Sequence, residues 1–320
     1  MTGAPSSSGR VAPNEVDLGT QIGSVELEAP VMTAAGTAGH GAELGAYLDL
    51  RRLGAVVVKS LAPFPWAGNP APRLHPTTAG MLNSVGLQGP GVERWIEDDL
   101  PGLRRSGARV VASIWGRTVE DFGLAAEQLA AAPTGSITAV EVNVSCPNLE
   151  DRNRIFAHDP VSTREVLRVT AAVRVPRWAK LSPNTDRIVE VAEAAVEGGA
   201  EALTLANTVL GMAIDVETRR PVLGAGRGGL SGAAIRPVAV RAVYDVHHAL
   251  PTVPLIGVGG VSHGVDAVEF LLAGASAVQV GTATFADPRA AARVLDELAV
   301  WCADHGVAAV RDLVGAAHHG

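Results

Sequence analysis

Eight short apolar runs rich in β-branched residues punctuate the chain, at 30–35, 55–61, 109–115, 139–145, 177–181, 202–206, 254–258 and 277–280. Each is nearly continuous in hydrophobicity rather than alternating, as a strand covered on both faces must be. Between them lie stretches with helical spacing rich in Ala, Leu and Glu, for example 119–132, 163–173, 186–198 and 235–249. Eight alternations predict an α/β fold, a TIM (β/α)8 barrel. A doubly wound sheet is the alternative, although no GxGxxG follows the first run. Ahead of the first barrel strand, 16–18 and 24–27 flank a turn and predict an N-terminal β-hairpin that closes the barrel bottom. Residues 1–14 read as a frayed tail, 15–304 as the barrel and 305–320 as a C-terminal tail.

Two connections are long, 62–89 and 208–232, the second carrying Gly224, Gly226, Gly228 and Gly229. Both follow strands, so in a barrel both lie on the face that bears active sites. The polar residues fall at strand ends. Lys59 ends the second run, Asn143, Ser145 and Cys146 the fourth, Lys180 the fifth, and Asn207 and Thr208 the sixth. Gly259 and Gly260 end the seventh, and Gly281 and Thr282 the eighth. Taken singly, each has an ordinary explanation: a rim lysine, a packed cysteine, a turn asparagine. Together on one rim they do not, because lysines are almost never buried without a partner. Glycines after the last two strands form the usual phosphate site of such a barrel. Lysines nearby suit an anion that develops during reaction, such as reduced flavin.

Composition narrows the classes. Net charge is −7 with no basic block and aromatics make up 4% of residues, which argues against a nucleic-acid surface. No apolar run approaches the ~18 residues of a membrane span. The two cysteines, Cys146 and Cys302, are too few for a disulfide framework or for an iron–sulfur or thiolate zinc site within this chain, and they fit a reducing cytoplasm. Histidines show no ligand spacing, and there is no GxSxG elbow.

The motifs Val57-Val58-Lys59-Ser60, Gly68-Asn69-Pro70, Gly80-Met81-Leu82-Asn83-Ser84-Val85-Gly86-Leu87-Gln88 and Asn143-Val144-Ser145-Cys146-Pro147-Asn148 resemble class 1 dihydroorotate dehydrogenases. So do Lys180-Leu181-Ser182-Pro183-Asn184, Gly228-Gly229-Leu230-Ser231-Gly232, Gly257-Val258-Gly259-Gly260-Val261 and Gly281-Thr282. The resemblance spans about residues 16 to 300. Cysteine in the Ser-Cys-Pro-Asn turn indicates class 1, and the wording is most similar to the catalytic chain of the NAD-linked type.

The resemblance implies FMN as cofactor and dihydroorotate as substrate, oxidised to orotate in pyrimidine biosynthesis. Cys146 would be the catalytic base, assisted by Lys59. Lys59, Asn83, Asn143, Asn207 and Thr208 would hold the substrate ring, with the backbone of Ser84, Val85, Gly86 and Leu87 lining the same pocket. Lys59, Asn143 and Lys180 would contact the flavin. Ala35, Ser60, Ser113 and Ala206 would complete its pocket, and Gly232, Gly259, Gly260, Gly281 and Thr282 would cradle its phosphate and ribityl chain. It also implies a homodimeric core and a second subunit carrying FAD and an iron–sulfur cluster.

Departures from the family pattern are local. Leu149-Glu150-Asp151-Arg152-Asn153-Arg154-Ile155-Phe156 replaces a glycine-rich lid, Ser113 an asparagine and Ala35 a serine, and Thr37 to Gly41 lacks aromatics. Three alternatives stay open: a related flavoenzyme acting on another cyclic amide such as dihydrouracil, a non-redox phosphate-binding barrel acting on a phosphosugar, and a non-catalytic subunit or binding module, against which the intact Lys59, Asn83, Asn143 and Cys146 speak.

Overall fold

The computed structural model describes residues 12–145, 147–148 and 154–319. Eight parallel strands run in the order they occur along the chain: β1 (Val31–Thr33), β2 (Val56–Val57), β3 (Val110–Ile114), β4 (Ala139–Asn143), β5 (Arg177–Lys180), β6 (Ala202–Leu205), β7 (Leu255–Val258) and β8 (Ala275–Val280). β8 returns to pair with β1, Val278 opposite Val31. The ring closes between β1 and β2, where Gly54 N–H donates to Val31 O at 2.9 Å and Val57 N–H to Thr33 Oγ1 at 2.9 Å. All eight expected runs are barrel strands, so the barrel, not the doubly wound sheet, is the architecture.

Period-two alternation explains why these strands are apolar throughout. Val56, Val110, Val140, Ala179, Leu203, Leu255 and Val278 face outward into the core shared with the helices. Val57, Val111, Ala139, Trp178, Ala202, Ile256 and Ala277 face inward and fill the lower barrel. Local signals start the helices: Thr118 caps Val119–Ala130 with Asp121 completing a capping box, and Asp159 accepts from Ser162 N–H to cap Pro160–Val169.

The hairpin differs from expectation in its first strand. Thr20–Ile22, not 16–18, pairs with Val25–Leu27, and Ile22 lies opposite Val25. The connection is therefore the two residues Gly23 and Ser24, with Gly23 at φ 60°. Ser24 Oγ donates to Glu201 Oε2 at 2.7 Å, tying the turn to the foot of β6. Ile22, Val25 and Leu27 pack on Trp178 and Met32, which stoppers the barrel from below. The backbone at Asp17 pairs instead with the C-terminal segment, donating to Ala308 O and accepting from Val310 N–H. The stretch 305–320, expected as a tail, thus packs against the barrel through its described part, because Val310 and Leu313 join the main core.

The two long connections meet above the barrel. Leu74–Thr77 and Gly80–Asn83 from the first pair with Gly228–Ser231 and Val209–Gly211 from the second in one antiparallel sheet, with Gly229 opposite Asn83. Pro147–Asn148 pairs with Arg154–Ile155 in a short ribbon. Among the described residues, no helix is long and apolar enough to cross a membrane, and no three His, Cys, Asp or Glu side chains converge as metal ligands.

Candidate active site

The C-terminal ends of the strands and the sheet above them enclose one cavity. Its walls bring together Ala35, Lys59, Ser60, Asn83, Val85, Gly86, Leu87, Asn143, Lys180, Ala206, Asn207 and Thr208. Gly232, Gly259, Gly260, Gly281 and Thr282 line the same cavity. Ser84 and Ser113 do not reach its wall. Ser84 is buried within the loop, and Ser113 is buried one layer below, its hydroxyl 2.8 Å from that of Ser60. Cys146 lies outside the described residues, as does the segment 149–153.

Inward parity places the polar side chains. Asn143 lies two residues beyond Glu141 on β4, and Lys180 two beyond Trp178 on β5, so both extend the inward rows upward. Asn143 Nδ2 donates to Ser60 Oγ at 3.4 Å, and Asn207 Nδ2 donates to Asn143 Oδ1 at 3.2 Å. Ser145 N–H donates to the same Asn143 oxygen at 3.2 Å. The amide of Asn143 is thereby oriented from three elements. Lys59 carries a lowered pKa, first because burial disfavours its charge and then because Lys180 repels it. Two ammonium groups thus face one cavity, which suits an anionic ligand.

The roof is built by close backbone approach. Asn69 Nδ2 donates to Ser84 O at 3.1 Å, Asn69 N–H to Val85 O at 3.1 Å, and the Trp66 indole N–H to Gly86 O at 2.9 Å. The Gly68-Asn69-Pro70 motif is therefore the buttress of the Ser84–Leu87 loop. Asn83 Nδ2 donates across the sheet to Gly229 O at 3.3 Å. A Cβ on Gly229 would stand 2.0 Å from Thr208 Oγ1, so the glycine is what lets Thr208 sit at the cavity.

At the opposite end, Gly259 (φ 130°) and Gly260 (φ 83°) carry the chain off β7 in conformations open to glycine. A Cβ on Gly260 would lie 2.7 Å from Arg236 Cβ, and one on Gly259 2.9 Å from Ala239 Cβ. The backbone here is pressed against the first turns of the helix Arg236–Ala249. Thr282 Oγ1 bonds Ser231 Oγ at 2.8 Å. Ser231 lines the cavity but was not among the residues expected from sequence.

Beneath the cavity floor lies a further buried set. Glu141 and Gln279 are both 0% exposed. Gln279 Nε2 donates to Glu141 Oε2 at 2.7 Å, Lys180 Nζ donates to Gln279 Oε1 at 3.3 Å, and Lys180 Nζ is 3.5 Å from Glu141 Oε1. Glu141 does not stand out in the sequence because it sits mid-strand in an apolar run. Its signal was parity, a carboxylate two residues before Asn143 on the same face.

The profile of the family described as dihydroorotate dehydrogenase matches residues 17–301. The chain belongs to the dihydroorotate dehydrogenase family. One curated relative, "Dihydroorotate dehydrogenase B (NAD(+)), catalytic subunit" of Geotalea uraniireducens, is 45% identical over 301 residues, covering 94% of this chain and 98% of its own. A protein of the same name from Alkaliphilus metalliredigens is 47% identical over 302 residues, covering 94% and 99%. Another, from Geobacter sulfurreducens, is 45% identical over 301 residues. For a dihydroorotate dehydrogenase the cavity fits FMN on its own geometry. Gly259, Gly260 and Gly281 line one end of the cavity beside the first turns of the helix Arg236–Ala249 and present backbone to a phosphate there. Two lysines and a row of amides at the other end supply donors for a polar ring system that gains electrons.

Proposed function

We propose that this chain is the FMN-dependent catalytic subunit of an NAD-linked dihydroorotate dehydrogenase, oxidising dihydroorotate to orotate in pyrimidine biosynthesis. The observation that carries the reading is the joining, in one cavity, of the Gly259–Gly260 and Gly281–Thr282 cradle with Lys59, Asn83, Asn143, Lys180 and Asn207. Bound FMN supplies the two-electron acceptor. Gly232, Gly259, Gly260, Gly281 and Thr282 hold its phosphate end, while Ala35, Ser60 and Ala206 bound its ring through backbone atoms.

Asn83, Asn143, Asn207 and Thr208 orient the substrate ring by hydrogen bonds, with the backbone of Val85, Gly86 and Leu87 above it. Lys59 pairs with the substrate's negative charge. Cys146 takes the proton from the carbon beside the ring carbonyl. Its assignment rests on the Asn143–Asn148 motif. Fixing the substrate against one base and one acceptor turns two bond cleavages into a positioned event, which is the protein's main contribution. A second flavoprotein subunit with FAD and an iron–sulfur cluster relays electrons to NAD, and two catalytic chains form the core of the assembly.

Stopped-flow reduction of the bound flavin by dihydroorotate tests the reading. The purified protein is expected to be yellow and to bleach on mixing. Cys146→Ala should keep FMN and lose nearly all reduction, and Cys146→Ser should keep a weak rate that climbs with pH, since a hydroxyl ionises less readily than a thiol. Flavin reduced by dihydrouracil and not by dihydroorotate would move the substrate to another cyclic amide. A colourless protein that binds no FMN would overturn the assignment.

A further inference from the structure

Asn184 ends the Lys180-Leu181-Ser182-Pro183-Asn184 motif, and the proposed reaction makes no use of it. It is half-buried and stands behind the cavity wall, not on it. Its Oδ1 accepts from Leu210 N–H at 2.8 Å, while Nδ2 donates to Thr208 O at 2.9 Å and to Ser182 Oγ at 3.0 Å. One amide thus takes an acceptor and a donor on either side of Val209. Turning the amide over would set Nδ2 against an N–H and Oδ1 against a carbonyl, so its partners fix its orientation.

A local turn explains only part of this. Asparagine is common in turns, where its side chain bonds backbone a few residues away. That pattern is present in the Asn184 N–H, which donates to Ser182 Oγ at 3.2 Å. The bonds to Thr208 and Leu210 are different in kind, because they cross 24 and 26 residues of chain.

Strand geometry shows what those bonds replace. β5 and β6 run side by side up to Lys180 opposite Thr204. The ladder continues as Leu181 N–H donates to Thr204 O and Asn207 N–H to Leu181 O, both at 3.0 Å. Pro183 has no N–H with which to extend it. Past β6 the chain enters Val209–Gly211, the outermost strand of the roof sheet, whose inner edge pairs with Gly228–Ser231. The Thr208 carbonyl and the Leu210 N–H belong to its other edge, which a side chain completes in place of a strand. Asn184 therefore ties the edge of the roof to the barrel.

The tie bears on the substrate end of the cavity. On its roof side Thr208 meets Gly229, where a Cβ would stand 2.0 Å from Thr208 Oγ1. Thr208 N–H donates to Asn207 Oδ1 at 2.8 Å, and Asn207 Nδ2 reaches Asn143 Oδ1 at 3.2 Å. A shift of the backbone at Thr208 would move its hydroxyl and loosen the Asn207 amide together.

We propose that Asn184 is a positioning residue for the reaction: by pairing the free edge of Val209–Gly211 it sets the Thr208 hydroxyl and the Asn207 amide against the substrate ring. The proposal rests on the reading that these two side chains bind that ring.

The experiment is calorimetric titration of orotate into the FMN-loaded protein, with steady-state dye assays beside it. N184A leaves the two backbone groups to water and should raise the orotate Kd about fivefold. KM for dihydroorotate should rise with it, while kcat and FMN content stay near wild type. N184D keeps the size of the side chain and the bond from Leu210 N–H, but sets an oxygen against Thr208 O. It should lose at least as much affinity as N184A, whereas a side chain that only fills space would leave N184D like the wild type.

The deciding variant is N184A in the N207A/T208V background. Both side chains that Asn184 places are then gone, and its removal should change the remaining orotate Kd by less than about twofold. An undiminished loss in that background would show that Asn184 acts elsewhere and would overturn the proposal. Wild-type affinity in N184A or N184D would do the same. Wild-type affinity in N207A/T208V itself would overturn the substrate reading, and the proposal with it, so that background tells the two failures apart.

Discussion

Asn207 Nδ2 donates to Asn143 Oδ1 at 3.2 Å, joining the end of β6 to the end of β4 across the barrel mouth. That bond leaves the Asn143 amide with a defined face toward the cavity, because its nitrogen is committed to Ser60 and its oxygen also accepts from Ser145 N–H. Asn207→Ala removes a donor that the proposed function assigns to the substrate ring and, with it, one restraint on Asn143. A net loss of about 1–1.5 kcal/mol is expected, roughly tenfold in kcat/KM, and mainly as a rise in KM for dihydroorotate. FMN content should be unchanged. Steady-state assays with an artificial dye acceptor measure both quantities, and a kcat loss with constant KM would remove Asn207 from substrate binding.

How much of this was visible in the sequence depends on the range of the interactions. The eight strands were legible because strands buried on both faces write a continuous local signal, and Lys59, Asn143 and Lys180 stood out as polar breaks at the ends of those runs. The roof was not legible. Gly229 faces Asn83 across 146 residues of chain, and no local pattern announces that two loops will pair into one sheet. The sequence pattern puts the first hairpin strand at 16–18, too early, because Asp17 stands between Val16 and Leu18. Its backbone is in fact used by Ala308 and Val310, a partner almost the whole chain away. Glu141 was hidden by the hydrophobicity of its neighbours, although strand parity alone puts it below Asn143.

Lys59 is held in the fold at some cost. Its pKa is lowered from the ordinary 10.5, by burial first and by Lys180 second. The unfolded chain therefore binds the proton more readily than the folded one. The apoprotein should gain stability as pH rises through the interval between the lowered value and 10.5, and carry the full penalty below it. Lys59→Met removes the penalty. The variant apoprotein is expected to melt roughly 2–4 °C higher at neutral pH while losing nearly all dihydroorotate oxidation. Differential scanning calorimetry of FMN-free protein checks the first part, and a melting temperature below wild type would contradict it.

Two glycines should separate the two halves of the cavity. Gly260→Ala forces a side chain onto φ 83° and to within 2.7 Å of Arg236 Cβ, so the cradle must shift. FMN affinity should fall at least tenfold, restored in part by excess FMN during assay. Gly229→Ala meets Thr208 Oγ1 at 2.0 Å and displaces it from the substrate end. That variant should purify with full FMN and show a raised KM for dihydroorotate. The ratio of flavin to protein absorbance distinguishes them, and loss of FMN from Gly229→Ala would mean that the two ends are not independent.

The path of electrons to NAD gives the last prediction. Iron–sulfur clusters need several thiolates, and the chain has two cysteines, Cys146 and Cys302. Cys302 is enclosed in the core of the helix Ala290–Asp304, where burial pushes its thiol up to about 11, so it is a packing residue and not a ligand. The cavity has one glycine cradle, and its other end is lined by the lysines and amides that the proposed function assigns to the substrate. A dinucleotide would have to displace one of the two to meet the same flavin. On the proposed function, electrons leave by a relay through a partner, in keeping with the description of the relatives as catalytic subunits of NAD(+)-linked enzymes. The isolated chain is expected to oxidise dihydroorotate rapidly with dyes and at least a hundredfold more slowly with NAD. Adding a flavoprotein subunit with FAD and an iron–sulfur cluster should restore NAD reduction. Fast NAD reduction by the pure chain would remove the relay. Fast turnover with fumarate alone would instead assign the chain to a partner-free homodimer, with the FMN cavity and the Cys146 base unchanged.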